Sequence, residues 1–347
     1  MKIDAISVKI PSFEVSNEWI LKELERLNPN VPAKKVKIYQ REVLSLLKKS
    51  GSKTRFWRDK QKGEVAIELT KTSMIEALQK ANLKKEDVDL LIFCGVGRGF
   101  KEPANAYLFA YALDMKSSCF DISDACMGWV RALDVAYRFF KSGTYKHIMI
   151  ITAEFSVFEH LYPYLWEIKS LDQLEYTIPS YTIGEAATAT ILSPSEKEWK
   201  FDYDSAPELV NLCTIPVEGY EGFCEKNERI NLHGVNRFVS FGGELFDSAK
   251  KRMMNLVKKV IKDIDEYDIW FPHAASSEAY LETGEKLGIK REKNYVEVYP
   301  RYGNVVSASI PLGMHMALGE KKLKRGDNIV LWPASAGMVF CVVRFNY

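Results

Sequence analysis

One arrangement of helix, turn and apolar strand occurs twice along the chain. Residues 88–96 (VDLLIFCGV) are a short apolar run that follows a helical pattern and the acidic turn 83–87. Residues 267–275 (YDIWFPHAA) repeat the arrangement after a second helical pattern, 244–264, and the turn Asp265-Glu266. Apolar runs of this length are typical of strands that are buried on both faces of a sheet. The two runs therefore predict equivalent strands in two copies of one structural plan.

A second pair of segments supports this duplication. Residues 141–154 (KSGTYKHIMIITAE) and 324–336 (KRGDNIVLWPASA) each contain a basic residue, a glycine, one or two polar residues and then an apolar strand. Helical patterns alternate with these strands, as they do in α/β folds. The sequence therefore predicts two similar α/β halves, residues 1–195 and residues 196–347.

Four chemically capable residues lie in loops or turns associated with the duplicated elements. These residues are Cys126, His273, Asn304 and Gly337. Because the two halves share one plan, the loops that follow equivalent strands are expected to converge. The convergence predicts a functional site built from both halves.

Cys126 is predicted to occupy a strand-to-helix turn, in the first turn of the helix. The strand covers residues 118–123, and the stretch 121–140 has apolar residues at three- and four-residue steps, as the buried face of a helix requires. A helix N-terminus presents unpaired N–H groups and a partial positive charge, so this position favours a thiolate over a thiol. The alternative is a small core residue, because free cysteine is among the residue types most often buried.

Cysteine, histidine and asparagine in one pocket suit acyl-transfer chemistry. A thiolate attacks a thioester carbonyl and holds the acyl group as a new thioester. A neutral imidazole moves a proton or donates to an enolate, and an asparagine amide stabilises an oxyanion without changing protonation. The backbone N–H of Cys126 and one from the turn 336–338 are expected to form an oxyanion hole. Taken singly, His273 is more often a residue at a strand end, and Asn304 is more often a turn residue.

Composition and charge exclude several classes of function. The chain has 347 residues, enough for two domains, and its formal net charge of +2 indicates no nucleic-acid or membrane partner. It has no apolar run of about eighteen residues, and its N-terminal segment lacks the apolar region of a signal peptide. Six cysteines without a CxxC motif and five scattered histidines predict a cytoplasmic protein with reduced thiols and no metal site.

Three other segments have more than one interpretation. Residues 53–58 (KTRFWR) interleave cations with aromatic rings, so they suit either a phosphate and a nucleotide base or a solvated loop. Residues 155–181 are rich in aromatic side chains, which are expected in an acyl tunnel, a dimer interface or a covered core helix. Residues 196–238 are polar and without a clear period, and they are predicted to form a turn or flap instead of core.

At these residues the sequence resembles the thiolase-fold condensing enzymes, and within them the β-ketoacyl-acyl-carrier-protein synthase III branch. The likeness extends over nearly the whole chain. The segments that carry it are Asp124-Ala125-Cys126-Met127-Gly128, Trp270-Phe271-Pro272-His273-Ala274 and Gly303-Asn304-Val305-Val306-Ser307-Ala308-Ser309-Ile310-Pro311. The resemblance implies a thiolase-like α/β fold, in which two duplicated halves form a five-layer αβαβα sandwich.

The same resemblance implies a catalytic triad and a class of substrate. Cys126 would accept the acyl group, and His273 and Asn304 would assist decarboxylation of a malonyl-type extender or activate another acceptor. Gly337 would correspond to the last glycine of the family's oxyanion turn. Arg55 and Trp57 fall where the family contacts coenzyme A. The implied substrates are thioesters of coenzyme A or acyl carrier protein, with no permanently bound cofactor, and the implied assembly is a homodimer.

The chain departs from the family pattern at several positions. His273 is followed by Ala274-Ala275-Ser276 in place of Gln-Ala-Asn, and the triple-glycine turn has become Ser335-Ala336-Gly337. Glu278 stands where a basic residue often helps carrier-protein docking. We therefore expect a specialised condensing enzyme instead of one that initiates fatty-acid synthesis. The alternatives are an acyltransferase with an oxygen or nitrogen acceptor, and a non-catalytic subunit of a heterodimer.

Overall fold

A computed structural model describes residues 1–273 and 275–347, in which helices alternate with strands. The strands are β1 (Lys2–Lys9), β2 (Phe13–Ser16), β3 (Thr54–Trp57), β4 (Leu90–Cys94), β5 (Ser118–Ile122), β6 (Ile148–Glu154), β7 (Ala186–Ser193), β8 (Trp199–Ser205), β9 (Cys213–Thr214), β10 (Val239–Ser240), β11 (Ile269–Pro272), β12 (Asn328–Trp332), β13 (Ala334–Ser335) and β14 (Val339–Asn346). The α-helices are α1 (Asn17–Leu27), α2 (Ala33–Ser50), α3 (Ala66–Ala81), α4 (Asn105–Ala112), α5 (Gly128–Lys141), α6 (Val157–His160), α7 (Leu174–Thr177), α8 (Gly242–Val260), α9 (Ser277–Leu287), α10 (Val298–Tyr302) and α11 (Ser309–Gly319). Within these described ranges, no helix combines the length and the apolar character needed to cross a lipid bilayer.

A first five-stranded sheet has the strand order β1-β7-β6-β4-β5. β4 runs parallel to β5 and β6, whereas β7 runs antiparallel to β6 and β1. In this register Leu91 of β4 stands opposite Cys119 on one side and Met149 on the other. Because both faces of β4 are covered, all of its residues (LLIFC) are buried, as the apolar run at 88–96 predicts.

A second five-stranded sheet contains β11, β12, β14 and β13, with β8 paired along β14. β11 runs parallel to β12, with Trp270 opposite Val330, and β14 runs antiparallel to β12 and β8. β11 confirms the strand expected within residues 267–275.

Helices separate and cover the two sheets, which gives five layers. α5 and α11 lie between the sheets, α3 and α4 cover the first sheet, and α8 and α9 cover the second. Successive residues of a strand face opposite layers, so Leu91 packs towards α3 and α4 while Ile92 packs towards α5 and α11. α11 is apolar on nearly every side because sheets flank it on both sides. The predicted α/β sandwich with αβαβα layers is confirmed.

Each predicted half contains one of the two large sheets, the first within 1–195 and the second within 196–347. That the halves are two copies of one plan stays a prediction. The expectation of a flap over residues 196–238 is wrong at its beginning, because β8 is a strand of the second sheet. Its sequence WKFDYDS alternates aromatic and polar residues, which is the period of a strand with one covered face. The Trp199 ring stacks on Phe345, with 3.6 Å between the ring centroids.

A separate apolar cluster joins the helices α1 and α2 to the aromatic stretch 155–181. α1 begins where the Ser16 hydroxyl accepts a hydrogen bond from the Trp19 N–H at 3.1 Å. Trp57 of β3 packs edge-on against Trp166, with 5.8 Å between centroids. Of the three interpretations of residues 155–181, this packing favours a covered core.

Candidate functional site

Cys126 lies in a tight turn between β5 and α5. A 3₁₀ turn, Ala125–Met127, joins the strand to the helix, and α5 begins only at Gly128. Ala125 has a φ of +42°, a left-handed conformation that is uncommon for residues other than glycine. The strand-to-helix turn predicted from the sequence is confirmed, although Cys126 precedes the α-helix instead of occupying its first turn.

Hydrogen bonds connect the Cys126 turn to the second half of the chain. The Met127 backbone N–H donates to Ser335 Oγ at 3.1 Å, and the Ser335 hydroxyl lies 3.3 Å from the Asp124 carbonyl, to which it donates. Two residues after Ser335, Gly337 has a φ of +125°, and a Cβ there would have no heavy atom within 4 Å. The backbone at Gly337 therefore has open space on the side where a Cβ would lie.

The Cys126 side chain is partly buried, and its surroundings disfavour the charged form of the thiol. Burial raises the pKa of the Cys126 thiol well above its usual value of 9, and the neighbouring Cys213 and Glu154 raise it further. The backbone N–H of Cys126 lowers the pKa, but by less. Burial therefore acts against the thiolate that the helix N-terminus was expected to favour, and a reactive thiolate at Cys126 stays a prediction.

His273 follows β11 and is 4% exposed. Its Nδ1 atom has no hydrogen-bond partner among residues 1–273 and 275–347. Burial lowers the pKa of the His273 imidazole from 6.5 to about 4, so the ring is neutral near pH 7. A neutral imidazole can accept a proton at one nitrogen and donate a hydrogen bond from the other.

Tyr280 of α9 is a residue near the site that the sequence gave no reason to select. It lines a small cavity together with His273. Burial raises the pKa of Tyr280, whose hydroxyl lies close to the backbone of His273 and Ala334 and near Cys126. The end of β11, strand β13 and the Cys126 turn therefore meet around this side chain.

Asn304 lies in a turn whose backbone and side chain are both fixed. Its backbone N–H donates to the Thr182 carbonyl at 2.8 Å, and its carbonyl accepts from the Gly184 N–H at 3.0 Å. Its side-chain Oδ1 accepts from the Val306 N–H at 2.9 Å. Because Oδ1 is used within the turn, the Nδ2 amide is the group available to a substrate oxygen.

The Asn304 turn and the Cys126 turn are adjacent. The 3₁₀ turn Val306–Ala308, which follows Asn304, packs against Ala125–Met127. A Cβ built on Gly128 would lie 3.7 Å from Ser307 Cβ. The structure thus places the loops of Cys126, His273 and Asn304, together with β13, at one end of the two sheets.

Arg55 and Trp57 occupy different surroundings from those expected of coenzyme A ligands. Arg55 is fully buried, and its guanidinium donates to Val15 O, Asn17 Oδ1 and Ser52 Oγ at 3.1, 2.9 and 2.7 Å. Trp57 is 1% exposed, and its indole N–H donates to the Ile183 carbonyl at 2.9 Å. Their burial does not support the predicted contact with coenzyme A, because neither side chain offers a free surface.

Two other groups close to Cys126 were missed. Cys213 of β9 has its pKa raised to about 11 by burial. Glu154, the last residue of β6, is 1% exposed, and burial raises the pKa of its carboxyl. The signal available for Glu154 was an acidic residue at the end of an otherwise apolar strand. Ala274, part of the motif that begins at His273, lies outside the described residues.

Two family models match the segments of the chain that contain the candidate site residues. Residues 258–347 match the model described as the C-terminal part of 3-oxoacyl-(acyl-carrier-protein) synthase III, and residues 120–158 match the model for 3-oxoacyl-(acyl-carrier-protein) synthase III. The shorter match contains Cys126, and the longer match contains His273, Asn304 and Gly337.

Named relatives extend this likeness over most of the chain. The β-ketoacyl-(acyl-carrier-protein) synthase III of Aquifex aeolicus is 32% identical over 277 residues, which cover 78% of this chain and 81% of the relative. The synthase III of Aliarcobacter butzleri is 29% identical over 314 residues, which cover 87% and 89% of the two chains.

Solved structures agree in fold. The 3-oxoacyl-(acyl-carrier-protein) synthase III of Aquifex aeolicus superposes with a TM-score of 0.79 at 26% identity, and covers 100% of this chain and 99% of its own. Xanthomonas campestris OleA, in a cysteine-to-serine variant with bound lauric acid and lauroyl-CoA, gives a TM-score of 0.81 at 19% identity, over 99% and 98% of the chains. The likeness to OleA is one of fold.

Proposed function

Because the chain belongs to the β-ketoacyl-acyl-carrier-protein synthase III family, we propose that it is an acyl-thioester condensing enzyme whose nucleophile is Cys126. The observation that carries the proposal is the contact between the Asn304 turn and the Cys126 turn, with Tyr280 near both Cys126 and the His273 backbone. This arrangement supports a pocket in which the Cys126 thiol, the neutral His273 imidazole and the Asn304 amide act on one substrate. This set of groups suits acyl transfer between thioesters.

The first half-reaction loads the acyl group. Cys126 Sγ attacks the carbonyl carbon of an acyl thioester of coenzyme A or acyl carrier protein, and the bond from that carbon to the donor's sulfur breaks. Because the resting group is a thiol, its proton has to leave as the new bond forms, and neutral His273 is the base proposed to accept it. The proton then passes to the departing thiolate. The acyl group remains on Cys126 as a thioester.

The second half-reaction extends the acyl group. A malonyl-type thioester loses carbon dioxide, and the electron pair of the broken carbon–carbon bond forms an enolate. The Asn304 amide and the His273 ring would donate hydrogen bonds to the enolate oxygen. The enolate carbon attacks the Cys126 thioester, and the backbone N–H groups of Cys126 and Gly337 would stabilise the tetrahedral oxyanion. Collapse of this oxyanion breaks the bond from the carbonyl carbon to Cys126 Sγ and releases the 3-oxoacyl thioester. The Cys126 thiolate then takes up a proton from water and returns to the resting thiol.

The second candidate keeps the acyl-enzyme but passes the group to an oxygen or nitrogen acceptor.

The substituted motifs after His273 and around Ser335 favour a specialised condensing enzyme over one that initiates fatty-acid synthesis. A non-catalytic subunit would have no need of the three residues Cys126, His273 and Asn304 together. We propose that the protein acts in the cytoplasm, because cysteines that lie mostly within apolar runs are typical of reduced thiols.

We also propose a homodimer joined along β5. This strand is the edge of the first sheet, and an open edge is a ready template for pairing with another chain. Beside it, Tyr107 and Tyr111 of α4 and the nearby Phe100 are 52%, 89% and 53% exposed. Exposed aromatic groups next to an open strand suit an isologous contact between two copies. Sedimentation of the wild type beside Tyr111→Asp tests this assembly: the wild type should be a dimer and the variant should dissociate more readily.

Intact-protein mass spectrometry tests the proposed function. The wild type is incubated with a panel of acyl-coenzyme A and acyl-carrier-protein thioesters, beside Cys126→Ala and a control, Cys224→Ala, which removes an exposed cysteine. A gain of one acyl mass is expected in the wild type and the control, but not in Cys126→Ala. Addition of malonyl thioester should then release carbon dioxide and free the cysteine. Absence of acylation by every donor in the folded protein would rule out both enzymatic candidates.

A further inference from the structure

Glu154 is a buried carboxyl that the proposed reaction does not use. It ends β6, is 1% exposed and has no cation within ion-pair distance among the described residues. Burial of a carboxyl without a counter-charge is unfavourable unless hydrogen bonds satisfy its oxygens. The surroundings of Glu154 therefore have to supply donors.

The donors to Glu154 come from two loops of the candidate site. Oε2 accepts from the Val96 N–H at 3.1 Å, in the loop that follows β4. Oε1 accepts from the Ser307 N–H at 3.1 Å and also from the Ser307 hydroxyl. Ser307 lies three residues after Asn304. The two oxygens of one carboxyl thus tie the Asn304 turn to the first sheet.

The backbone between Asn304 and Ser307 adopts a conformation that hydrogen bonds of this kind have to stabilise. Val306 has a φ of +50°, and for a β-branched residue this left-handed conformation is strained. Such a conformation persists only where its neighbours hold it. On one side Asn304 Oδ1 accepts from the Val306 N–H at 2.9 Å, and on the other side Glu154 holds Ser307 by its N–H and its hydroxyl.

The hydrogen bonds between Glu154 and Ser307 also lie close to the nucleophile. The Ser307 side chain contacts the Gly128 position, two residues from Cys126, and the negative charge of Glu154 contributes to the raised pKa of the Cys126 thiol. Glu154 is therefore in reach of both turns without being part of either.

We propose that Glu154 is a positioning residue, whose carboxyl clamps Ser307 and so holds the strained Val306 backbone and directs the Asn304 amide towards the thioester on Cys126. This inference rests on the proposed function. It predicts that loss of the Glu154 carboxyl slows the second half-reaction more than the first. Formation of the enolate requires the Asn304 amide, whereas loading of Cys126 does not.

The primary variants are Glu154→Gln and Ser307→Ala. A glutamine would place two N–H donors opposite the donors of either Val96 or Ser307, so one loop has to move. Acylation of Cys126, followed by intact mass, should not fall by more than about threefold relative to the wild type. Carbon dioxide release from malonyl thioester should fall about 10- to 100-fold in kcat, as expected when an oriented catalytic group is displaced by about 1 Å. In an Asn304→Ala background, Glu154→Gln should produce no further loss.

Glu23→Gln is the matched control, since Glu23 of α1 is also buried, at 8% exposed, but accepts a hydrogen bond from Arg26 Nε at 2.8 Å. It should change the two half-reactions equally. Loss of both half-reactions in equal proportion in Glu154→Gln, or additive losses with Asn304→Ala, would overturn the positioning role. Failure of the wild type to acylate would instead contradict the proposed function.

A crystal structure of each primary variant tests the clamp without using activity. Val306 should return to a negative φ, and the hydrogen bond from its N–H to Asn304 Oδ1 should be lost or lengthened. Retention of the wild-type turn in both variants would overturn the inference.

Discussion

Gly184 lies so close to Tyr302 that a Cβ atom at position 184 would stand 2.0 Å from the Tyr302 carbonyl oxygen. In the same place the Gly184 N–H donates to the Asn304 carbonyl at 3.0 Å. The chain entering β7, in the first half, is thus in backbone contact with the Asn304 turn of the second half. The hydrogen bond of this contact is made by backbone atoms alone.

Gly184→Ala is expected to destabilise the fold and to displace Asn304. The new methyl group meets backbone, which cannot rotate away, so the free energy of unfolding should fall by about 3 kcal/mol. Chemical denaturation measures this loss. The matched control is Gly243→Ala, whose Cβ would have no heavy atom within 4 Å, and it should change stability by less than about 1 kcal/mol. Equal stability of the two variants would contradict the close contact at Gly184.

The Cys126 thiol should react slowly at neutral pH and faster as the pH rises. Because burial raises its pKa well above 9, the thiolate fraction should grow about tenfold per pH unit between pH 7 and pH 9. The rate of alkylation by iodoacetamide, followed at the Cys126 peptide by mass spectrometry, measures this slope. The exposed Cys224 serves as the internal reference and should be alkylated first at every pH. A rate at Cys126 that is already constant below pH 7 would indicate a low-pKa thiolate instead.

Burial of neutral His273 should make the protein less stable in mild acid. The folded-state pKa of about 4 lies below the unfolded value of 6.5, so the unfolded chain binds a proton first as the pH falls. The contribution of His273 to the free energy of unfolding is therefore fully present above pH 6.5. It is lost progressively as the pH falls to 4, by about 3 kcal/mol in total. Urea unfolding of the wild type and His273→Asn at pH 7 and pH 4.5 measures the difference. The variant should show a smaller decrease, and an identical decrease would contradict the assigned cause.

Arg55→Ala should lower stability without weakening the binding of coenzyme A thioesters. The substitution leaves a cavity and removes the donor to Val15 O, Asn17 Oδ1 and Ser52 Oγ, at a cost of about 3 kcal/mol. Urea unfolding and the KM for the thioester measure the two effects separately. Arg41→Ala, on the exposed surface of α2, is the control and should change neither by much. A variant of normal stability with a raised KM would restore the role first expected of Arg55.

Strands buried on both faces were the elements best predicted from the sequence. The apolar runs of β4 and β11 can be recognised without knowing their partners, because burial on two sides requires every residue to be apolar. β8 was missed although its aromatic residues alternate, since strand signals with one covered face are easily lost in polar sequence.

The residue types of the candidate site could be predicted from the sequence, but their burial and acidity could not. The strand-to-helix turn predicts where Cys126 lies along the chain, whereas its acidity depends on how much of the second half covers it. For the same reason Arg55 resembled a solvated cation, because nothing local in the sequence shows that Asn17 and Ser52 surround it. Burial of single polar residues is a property of tertiary packing.

The hydrogen bond between Met127 and Ser335 joins residues that are 208 positions apart. During translation, Cys126 leaves the ribosome long before Ser335 has been made. Until then the residues of the second half that cover the cysteine are absent, and its sulfur faces the electrophiles and oxidants of the cell with the reactivity of an ordinary thiol. Completion of the fold therefore covers the nucleophile and lowers its reactivity, and a chain that stalls before residue 335 leaves this thiol more open to chemical damage.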